Sequence, residues 1–226
     1  MTDGSTRAVK RLVREMLTDP GAAGRIEEIR KFPPKKVINP LFSLLLSGRE
    51  EVKWRAVTAM GVVVADLAHE DLEDARIVMR RLMWSLNDES GGIGWGAPEA
   101  MGEIAAHSEV LAREYTPILT SYIREDGNFL EIDQLRRGAL WALGRVAGLR
   151  PEIVREALSH VRPYLTSKDN AERGLAAWIF SFYVSEREIR EVLSPFANDE
   201  ASFGLYRDGD LQTVRIGDLV YEALRG

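Results

Sequence analysis

The 226-residue sequence contains no cysteine, and this absence excludes disulfides, thiol nucleophiles and zinc sites with cysteine ligands. Its three histidines, His69, His107 and His160, stand singly and lack the spacing of a metal-binding motif. No run approaches the roughly 18 to 20 apolar residues that a membrane-spanning helix needs. The first residues are polar and lack the apolar segment of a secretory signal. We therefore expect a cytoplasmic protein with no membrane span, no metal and no cofactor.

Positively charged residues are fewer than negatively charged ones. The sequence has 30 lysines and arginines against 35 aspartates and glutamates, which gives a formal net charge of −5. A chain of this charge exerts no long-range attraction on nucleic acid, so nucleic-acid binding is disfavoured, although a local basic groove is compatible with it. With 45% hydrophobic and 29% charged residues, the composition is that of a folded domain rather than a disordered chain.

Motifs that carry catalysis are equally scarce. The sequence has no GxSxG nucleophile elbow and no HExxH zinc motif, and the nearest carboxylate pairs fall on solvated faces of amphipathic helices. We therefore expect that the protein is not an enzyme. One carboxylate, Glu99, keeps the question open, because it falls in a predicted groove lined by aromatic residues.

Internal repetition is the main feature that the sequence does have. Three ten-residue segments align without gaps at spacings of 41 and 42 residues, and a fourth copy follows after 36 residues. The four segments are VKWRAVTAMG (52–61), IGWGAPEAMG (93–102), LRRGALWALG (135–144) and AERGLAAWIF (171–180).

Longer apolar stretches with the period of an amphipathic helix lie between these copies, at residues 72–86, 110–123 and 152–165. Each repeat unit is therefore predicted to be a pair of helices, and the ten-residue segment belongs to the second helix of each pair. One pair cannot bury its apolar face alone, whereas stacked pairs make a continuous core. The predicted fold class is all-α, a right-handed α-solenoid with a small C-terminal β-hairpin.

The repeat pattern resembles the HEAT-like repeats of the armadillo/HEAT α-solenoid superfamily, and particularly those first named from phycobilisome lyases. The resemblance covers about residues 34–183 and implies a fold rather than an activity, since such scaffolds host many functions. It rests on second-helix residues that recur at matching positions. They are Val52, Lys53, Ala56, Ala59, Met60, Gly61, then Ile93, Ala97, Ala100, Met101, Gly102, then Leu135, Arg136, Ala139, Ala142, Leu143, Gly144.

The two ends of the chain depart from the repeat. Residues 1–33 are predicted to form N-terminal capping helices, broken at Pro20-Gly21 and Pro33-Pro34. Residues 34–197 hold the repeats. Residues 198–226 are predicted to form a β-hairpin around Asp208-Gly209 and a short closing helix. We expect the three parts to make one continuous domain.

Six residues form the predicted binding groove. In solenoids of the resembling family the second helices line the concave side, and the third and seventh positions of the aligned segment share one outward face. Tryptophan and arginine, which recur there, are enriched in binding hot spots. The groove residues are Trp54, Trp95, Glu99, Arg137, Trp141 and Arg173. The alternative is that these tryptophans fill gaps inside the solenoid, as we expect of Trp84 and Trp178 at packing positions.

Lys53 and Arg136 share the second position of the aligned segment. In repeats of this kind that position pairs with acidic residues of the neighbouring turns, so we expect a structural role for both. The expected acidic partners are Asp88, Asp133 and Asp169.

The stretch ESGGIGWGAPEAMG, residues 89–102, crowds glycines around Trp95. A glycine inside a helix costs about 1 kcal/mol relative to alanine, and Pro98 is well tolerated only in a first turn, so the helix is predicted to begin near Ala97. The loop glycines are predicted to present Trp95 in the groove or to bring backbone amides close to a ligand. They are Gly91, Gly92, Gly94 and Gly96. The alternative is a divergent turn without a function.

Together these features favour a non-enzymatic scaffold that binds a protein or peptide partner in a groove lined by tryptophan and arginine. A partner strand added to the edge of the C-terminal hairpin is a second way to the same function. The alternative is a DNA-binding or alkylpurine-glycosylase-like HEAT protein, whose concave face carries tryptophans, arginines and an acidic residue. The net charge of −5 disfavours it, because DNA affinity depends on neutralised phosphates. A third alternative, a protein associated with a bilin, rests on the generic repeat alone.

Overall fold

A computed structural model of the chain describes residues 3–19, 25–87 and 94–226. It contains two compact units, Met1–Leu111 and Ala112–Gly226. Helices dominate both units, and the sheet within the described part of the chain is a two-stranded hairpin. None of the helices in that part is both long and apolar enough to cross a membrane. The predicted organisation as one continuous domain, divided at residues 33 and 197, stays a prediction.

Helix α4 is the centre of the first unit. It packs against the helices before and after it in the chain, α3 and α5, and against α6. Its residues Val57, Met60 and Val64 are buried at helical spacing. The helices of this unit are α1 (Asp3–Thr18), α2 (Ile26–Ile29), α3 (Pro34–Leu45), α4 (Glu50–Glu70), α5 (Leu72–Leu86) and α6 (Ala97–His107), and α7 (Glu109–Ser121) crosses the boundary between the units.

The helices predicted for the first unit are confirmed. α1 and α2 lie where two N-terminal helices were expected, while Pro20-Gly21 falls outside the described residues. Pro34 occupies the first turn of α3, where its missing N–H costs nothing. Asp71 begins α5 by accepting a hydrogen bond from the backbone N–H of Asp74.

The second unit is built around two second helices of the repeat, α8 and α11, which pack against each other. The stretch 152–165 was predicted as one helix and is instead a series of short α and 3₁₀ turns. Pro163 lies in the last turn and has no N–H to continue an α-helical ladder. The elements are α8 (Asp133–Ala147), α9 (Pro151–Val154), α10 (Leu158–Val161), α11 (Asn170–Ser181), α12 (Arg187–Leu193), β1 (Ser202–Arg207), β2 (Asp210–Arg215) and α13 (Ile216–Arg225).

Small residues set how closely successive second helices pack. A Cβ added to Gly61 would lie 2.3 Å from Cγ of Glu103 on α6. In the second unit, a Cβ on Gly144 would lie 2.4 Å from the ring of Trp178 on α11. Both glycines hold the last position of the aligned segment. That position is small because a side chain of the next second helix occupies the space.

The hairpin predicted around Asp208-Gly209 is confirmed. β1 pairs with β2 in antiparallel register, from Ser202 opposite Arg215 to Arg207 opposite Asp210. Asp208 has a φ of 56° and Gly209 a φ of 84°, and a tight two-residue hairpin turn requires this left-handed backbone at both positions.

Strand β1 and the closing helix α13 both pack on α11. The ring of Phe203 on β1 lies against Gly174, where an added Cβ would be 2.3 Å from Cδ1 of the ring. Leu205 and Tyr206 of the same strand are also buried. The hairpin and α13 therefore cover the last second helix in place of a further repeat.

Replacing Gly174 with alanine will destabilise the second unit, because the added Cβ overlaps the ring of Phe203. We expect the free energy of unfolding to fall by about 1 to 3 kcal/mol, measured by urea denaturation with circular dichroism. Gly204→Ala is the matched control, because its Cβ would lie 3.7 Å from Cδ1 of Leu211, an ordinary contact. The control should change stability by no more than about 0.5 kcal/mol, and equal stability of the two variants would contradict this packing.

Candidate functional site

Two predicted groove residues of the first unit, Trp54 and Glu99, are buried. Trp54 is 7% exposed, and its indole N–H donates a hydrogen bond to Oε2 of Glu50 at 3.2 Å. Glu99 is 5% exposed. The exposure expected of both side chains is wrong, because α4 and α6 pack closely against each other.

Glu99 belongs to a buried charge cluster around Lys53. The Lys53 ammonium lies 3.4 Å from Oε1 of Glu50, 3.7 Å from Oε1 of Glu99 and 4.6 Å from the ring centre of Trp54. The other carboxylate oxygen of Glu99 is buried and receives no hydrogen bond from any described residue. Burial raises the pKa of Glu99, and the charge of Lys53 opposes that rise. The cluster therefore links α4 to α6 through the Glu99 carboxylate, one oxygen of which has no hydrogen-bond donor among the described residues.

Arg136 makes the equivalent link in the second unit with better geometry. Its Nε donates to Oε1 of Glu172 on α11 at 2.6 Å, and the hydroxyl of Ser167 donates to the other oxygen of Glu172 at 2.7 Å. Asp133, one of the predicted partners, also accepts a hydrogen bond from Arg136, at 2.7 Å. Sequence reasoning missed Glu172, although it holds the same position in the fourth segment as Arg136 in the third.

The second segment explains why the two links differ. Gly94 stands there at the position that Glu172 holds in the fourth segment, so it offers Lys53 no carboxylate. Glu99 reaches Lys53 from five residues further along the chain instead. Asp88, the acidic partner expected near this point, lies outside the described residues.

Trp141 is 3% exposed and lies under the hairpin. Its indole N–H donates to the backbone oxygen of Tyr206 on β1 at 2.9 Å. Its ring centre lies 6.2 Å from that of Tyr206 and 6.5 Å from that of Trp178. The predicted exposure of Trp141 is wrong because β1 occupies the surface of α8 that the repeat pattern leaves open. Trp178 is buried, as expected.

Arg137 and Arg173 each form an ion pair with an acidic residue further along the chain. Arg137 pairs with Asp169, the residue that caps α11, and Nε of Arg173 donates to Asp199 at 2.6 Å. The hydrogen bond from Arg173 lowers the pKa of Asp199. Both arginines were predicted to line a groove. The structure places them instead in contacts that hold neighbouring elements of the second unit together.

The glycine-rich turn ends where the sequence predicts. α6 begins at Ala97, and Gly96 before it has a φ of 75°, which glycine adopts without strain. Gly91 and Gly92 lie outside the described residues. A Cβ on Gly94 would lie 2.8 Å from the backbone oxygen of Ser85, so Gly94 lets this turn pack against the end of α5.

Trp95 is half-buried and lies in a different place from the one predicted. It lines a cleft with the end of α3 and with α5. The four-residue spacing of Trp95 and Glu99 would place them on one face only if both were helical, and α6 begins at Ala97. Glu99 therefore faces Lys53 while Trp95 lines the cleft beside α3.

An open groove runs between α3 and α5, and we call it the α3–α5 groove. It consists of two adjoining clefts, of about 300 Å³ and about 230 Å³, which share Arg81. Apolar and aromatic side chains dominate the larger cleft, and the smaller one mixes apolar with polar residues. The larger is lined by Phe42, Leu45, Leu46, Leu82, Ser85 and Trp95, among others, and the smaller by Ile38, Asn39, Ile77, Val78 and the ion pair of Lys35 with Asp74.

Arg81 stands where the two clefts meet. Its guanidinium lies 4.0 Å from the centre of the Phe42 ring and donates a hydrogen bond to the side-chain oxygen of Asn39. The two carboxylates of α5 pair with other cations, Glu73 with Arg76 and Arg80, and Asp74 with Lys35.

Trp84 is 75% exposed on α5, one turn beyond Arg81. The sequence predicted it to be core, which is wrong. The buried stripe of α5 consists of Ala75, Val78, Met79 and Leu82, and Trp84 lies about 200° around the helix from Leu82. That offset is visible in the sequence, and it places Trp84 on the same helix face as Ile77 and Arg81.

Comparisons with known proteins agree on the fold. Residues 133–183 match the family model of the HEAT-like repeat. An uncharacterised protein of Archaeoglobus fulgidus is 26% identical over 205 residues, which cover 87% of this chain and 97% of the relative. An engineered protein of known structure has a TM-score of 0.53 at 18% identity, and the match covers 96% of this chain and 95% of the engineered one. A designed armadillo repeat protein has a TM-score of 0.50 at 17% identity, and the match covers 96% of this chain and 98% of the designed one.

The chain has the fold of HEAT-like and armadillo repeat proteins, and residues 133–183 match the HEAT-like repeat itself. Its fold class is all-α repeat pairs of the armadillo/HEAT type with a small C-terminal hairpin, as the sequence predicted. The second helices use their tryptophan and arginine side chains for internal contacts. The more specific resemblance to the repeats of phycobilisome lyases stays a prediction.

The different exposures of Trp141 and Trp84 predict different effects of their substitution on stability. Trp141→Ala leaves a cavity under the hairpin, and we expect it to lower the free energy of unfolding by about 3 to 5 kcal/mol. Trp84→Ala removes a side chain that touches little of the fold, and we expect a change within about 0.5 kcal/mol. Urea denaturation followed by circular dichroism measures both values. Comparable losses in the two variants would contradict these placements.

The raised pKa of Glu99 predicts a pH-dependent effect of Glu99→Gln. Folded Glu99 keeps a proton that the unfolded chain, with an ordinary glutamate pKa of about 4.3, already releases. The wild type therefore loses stability as the pH rises from that value through the raised pKa, whereas glutamine does not titrate. We expect the stability of Glu99→Gln relative to the wild type to increase as the pH rises above about 4, measured by urea denaturation. A relative stability that stays constant or falls as the pH rises would contradict the raised pKa.

Proposed function

We propose that this protein is a non-enzymatic scaffold that binds a segment of another protein in the α3–α5 groove. The observation that carries the proposal is Trp84, which is 75% exposed on the face of α5 that carries Ile77 and Arg81, two residues of the clefts. Burial of apolar surface stabilises a complex by roughly 25 cal/mol per Å² before the costs of association, so an exposed indole is a strong potential contact. Tryptophan and arginine dominate binding hot spots, and Arg81 lies one turn from Trp84 on α5.

Two further apolar side chains extend this surface. Leu46, just after α3, is 56% exposed and lines the larger cleft. Ile77 is exposed on α5 and lines the smaller cleft. Single exposed apolar residues are common on any protein, whereas apolar side chains gathered around a groove are typical of an interaction site.

The fold supports a protein or peptide as the kind of partner. Repeat proteins of this architecture stack helix pairs into extended surfaces along which another chain can lie. A designed armadillo repeat protein with a TM-score of 0.50 and 17% identity forms a complex with the peptide (KR)4, and the comparison covers 96% of this chain and 99% of that one. We transfer from it only the kind of partner.

The side chains of the second helices are better explained as structural. Trp54 and Trp141 are buried, and Arg137 and Arg173 already pair with carboxylates. The DNA-binding alternative loses support for the same reason, because both arginines that would contact phosphates are engaged. A cytoplasmic location remains a prediction from the sequence.

Selection of a random-peptide library on phage against the wild-type protein tests this function. We expect the selected peptides, made synthetically and measured by fluorescence anisotropy, to bind Trp84→Ala and Leu46→Ala at least about tenfold more weakly than the wild type. Tenfold corresponds to about 1.4 kcal/mol, which is a modest loss for a hot-spot residue.

Leu149→Ala is the matched control, because Leu149 is 53% exposed in the second unit and resembles Leu46 in type and exposure. We expect its affinity for the selected peptides to equal that of the wild type. The proposal is overturned if no peptide is selected, or if the selected peptides bind Trp84→Ala and Leu46→Ala as tightly as the wild type.

A further inference from the structure

The two helices that frame the groove carry an excess of positive charge. α3 and α5 together have five cationic side chains and two carboxylates, although the whole chain has a net charge of −5. The cations are Lys35, Lys36, Arg76, Arg80 and Arg81, and the carboxylates are Glu73 and Asp74. Of these residues, Lys35, Arg81 and Asp74 line the groove, which therefore has one more cation than carboxylate and favours an acidic ligand over a basic one.

Arg81 differs from the other α5 cations in its partners. Arg76 and Arg80 pair with Glu73. Within the described part of the chain, Arg81 contacts only the neutral side chains of Asn39 and Phe42 through its guanidinium. The planar guanidinium has five donors in a fork that matches a carboxylate, and the Phe42 ring holds it in place. A carboxylate of a ligand would complete these hydrogen bonds.

The order of the two clefts places this carboxylate between two apolar side chains of the ligand. The larger cleft lies on one side of Arg81 and the smaller on the other. On α5, Ile77 and Trp84 are seven residues apart, which is about 10 Å along the helix axis, and Arg81 lies between them. Seven residues is also the spacing at which two side chains return to the same face of a ligand helix.

A helix fits this groove better than an extended chain does. Both walls of the groove are helices, in which most backbone N–H and C=O groups pair within the helix, with an exception at Pro40 of α3. An extended ligand would find no strand edge here to satisfy its own backbone groups. A helical ligand satisfies them internally and presents only side chains.

We infer that the natural occupant of the α3–α5 groove is an acidic amphipathic helix of a partner protein. This inference rests on the proposed function. Two apolar side chains of that helix, about seven residues apart, fill the two clefts and contact Trp84 and Ile77. A glutamate or aspartate between them pairs with Arg81. Such a pair, flanked by apolar contacts that exclude water, gives specificity for an acidic partner.

Three synthetic peptides of about 18 residues, long enough to span the roughly 18 Å of α3, test this inference. The first is an amphipathic helix with leucines on one face and glutamates between and beside them. The second has lysine in place of every glutamate, and the third has a central proline that breaks the helix. We expect the acidic peptide to bind by fluorescence anisotropy, the lysine and proline peptides to bind at least about tenfold more weakly, and the affinity to fall with added salt.

Arg81→Gln should lower the affinity for the acidic peptide about tenfold, which is the order expected for a lost charge-assisted contact. Arg81→Lys should recover part of that affinity. The matched control is Arg187→Gln, because Arg187 is an arginine on the surface of the second unit whose side chain is 91% exposed. We expect no change in affinity for this control.

Failure of the inference and failure of the proposed function give different results. The inference alone fails if the lysine or proline peptide binds as tightly as the acidic one while Trp84→Ala still weakens binding, or if Arg81→Gln binds the acidic peptide like the wild type. It also fails if sedimentation shows that the protein forms a dimer lost in Trp84→Ala, because the occupant is then a second copy. If the acidic peptide does not bind, or binds equally to Trp84→Ala, the inference is overturned, and the library selection decides the proposed function.

Discussion

Close packing of successive second helices is the constraint on which the rest of this structure depends. Gly61, Gly144 and Gly174 each leave no room for a Cβ, because a side chain of the next element already fills that space. Glu103, Trp178 and Phe203 are the side chains that fill it. Since interiors pack at nearly crystalline density, a small residue on one helix and a large one on the next form a matched pair. The match at the last position of the aligned segment occurs in both units, between Gly61 and Glu103 and between Gly144 and Trp178.

Close approach also decides where the charged residues of the second helices can go. Arg136 and Glu172 are brought within hydrogen-bonding distance, so their burial is compensated by good geometry. Lys53 and Glu99 meet at 3.7 Å, and one oxygen of Glu99 has no donor among the described residues. The difference follows from Gly94, which replaces a carboxylate in the second segment. Desolvation offsets much of the attraction within a buried ion pair, so a pair with poorer geometry contributes less to stability.

The fold could be predicted from the sequence because the repeat, the turn residues and the helix periods each report on local structure. The 41- and 42-residue spacings predicted helix pairs, and Asp208-Gly209 predicted the hairpin. Contacts between residues that are distant in the sequence have no such local signal, and these contacts were not predicted. Nothing in the sequence shows that Phe203 lies on Gly174, or that β1 covers Trp141. These contacts join residues that are far apart in the chain, and the hairpin covers a face that the repeat alone leaves open.

The candidate site was misplaced for related reasons. The four-residue spacing of Trp95 and Glu99 suggests a shared helix face, but the helix begins only at Ala97, after Trp95. The outward positions of the repeat are covered by neighbouring elements rather than exposed. Trp84 could have been found from the sequence, because it lies outside the stripe formed by Val78, Met79 and Leu82. The groove itself could not, since it depends on the space left between α3 and α5 and on Arg81 reaching across it to Phe42.

Because the chain contains no cysteine, one introduced cysteine can report directly on whether the α3–α5 groove binds a peptide. Ile77→Cys, labelled with an environment-sensitive fluorophore, places a single probe in the α3–α5 groove, and Leu149→Cys places the same probe on the second unit. When a library-selected peptide is added, we expect the emission at Ile77→Cys to shift to shorter wavelength and that at Leu149→Cys to stay constant. Constant emission at Ile77→Cys with a peptide bound to the wild type would contradict the claim that this groove is the binding surface.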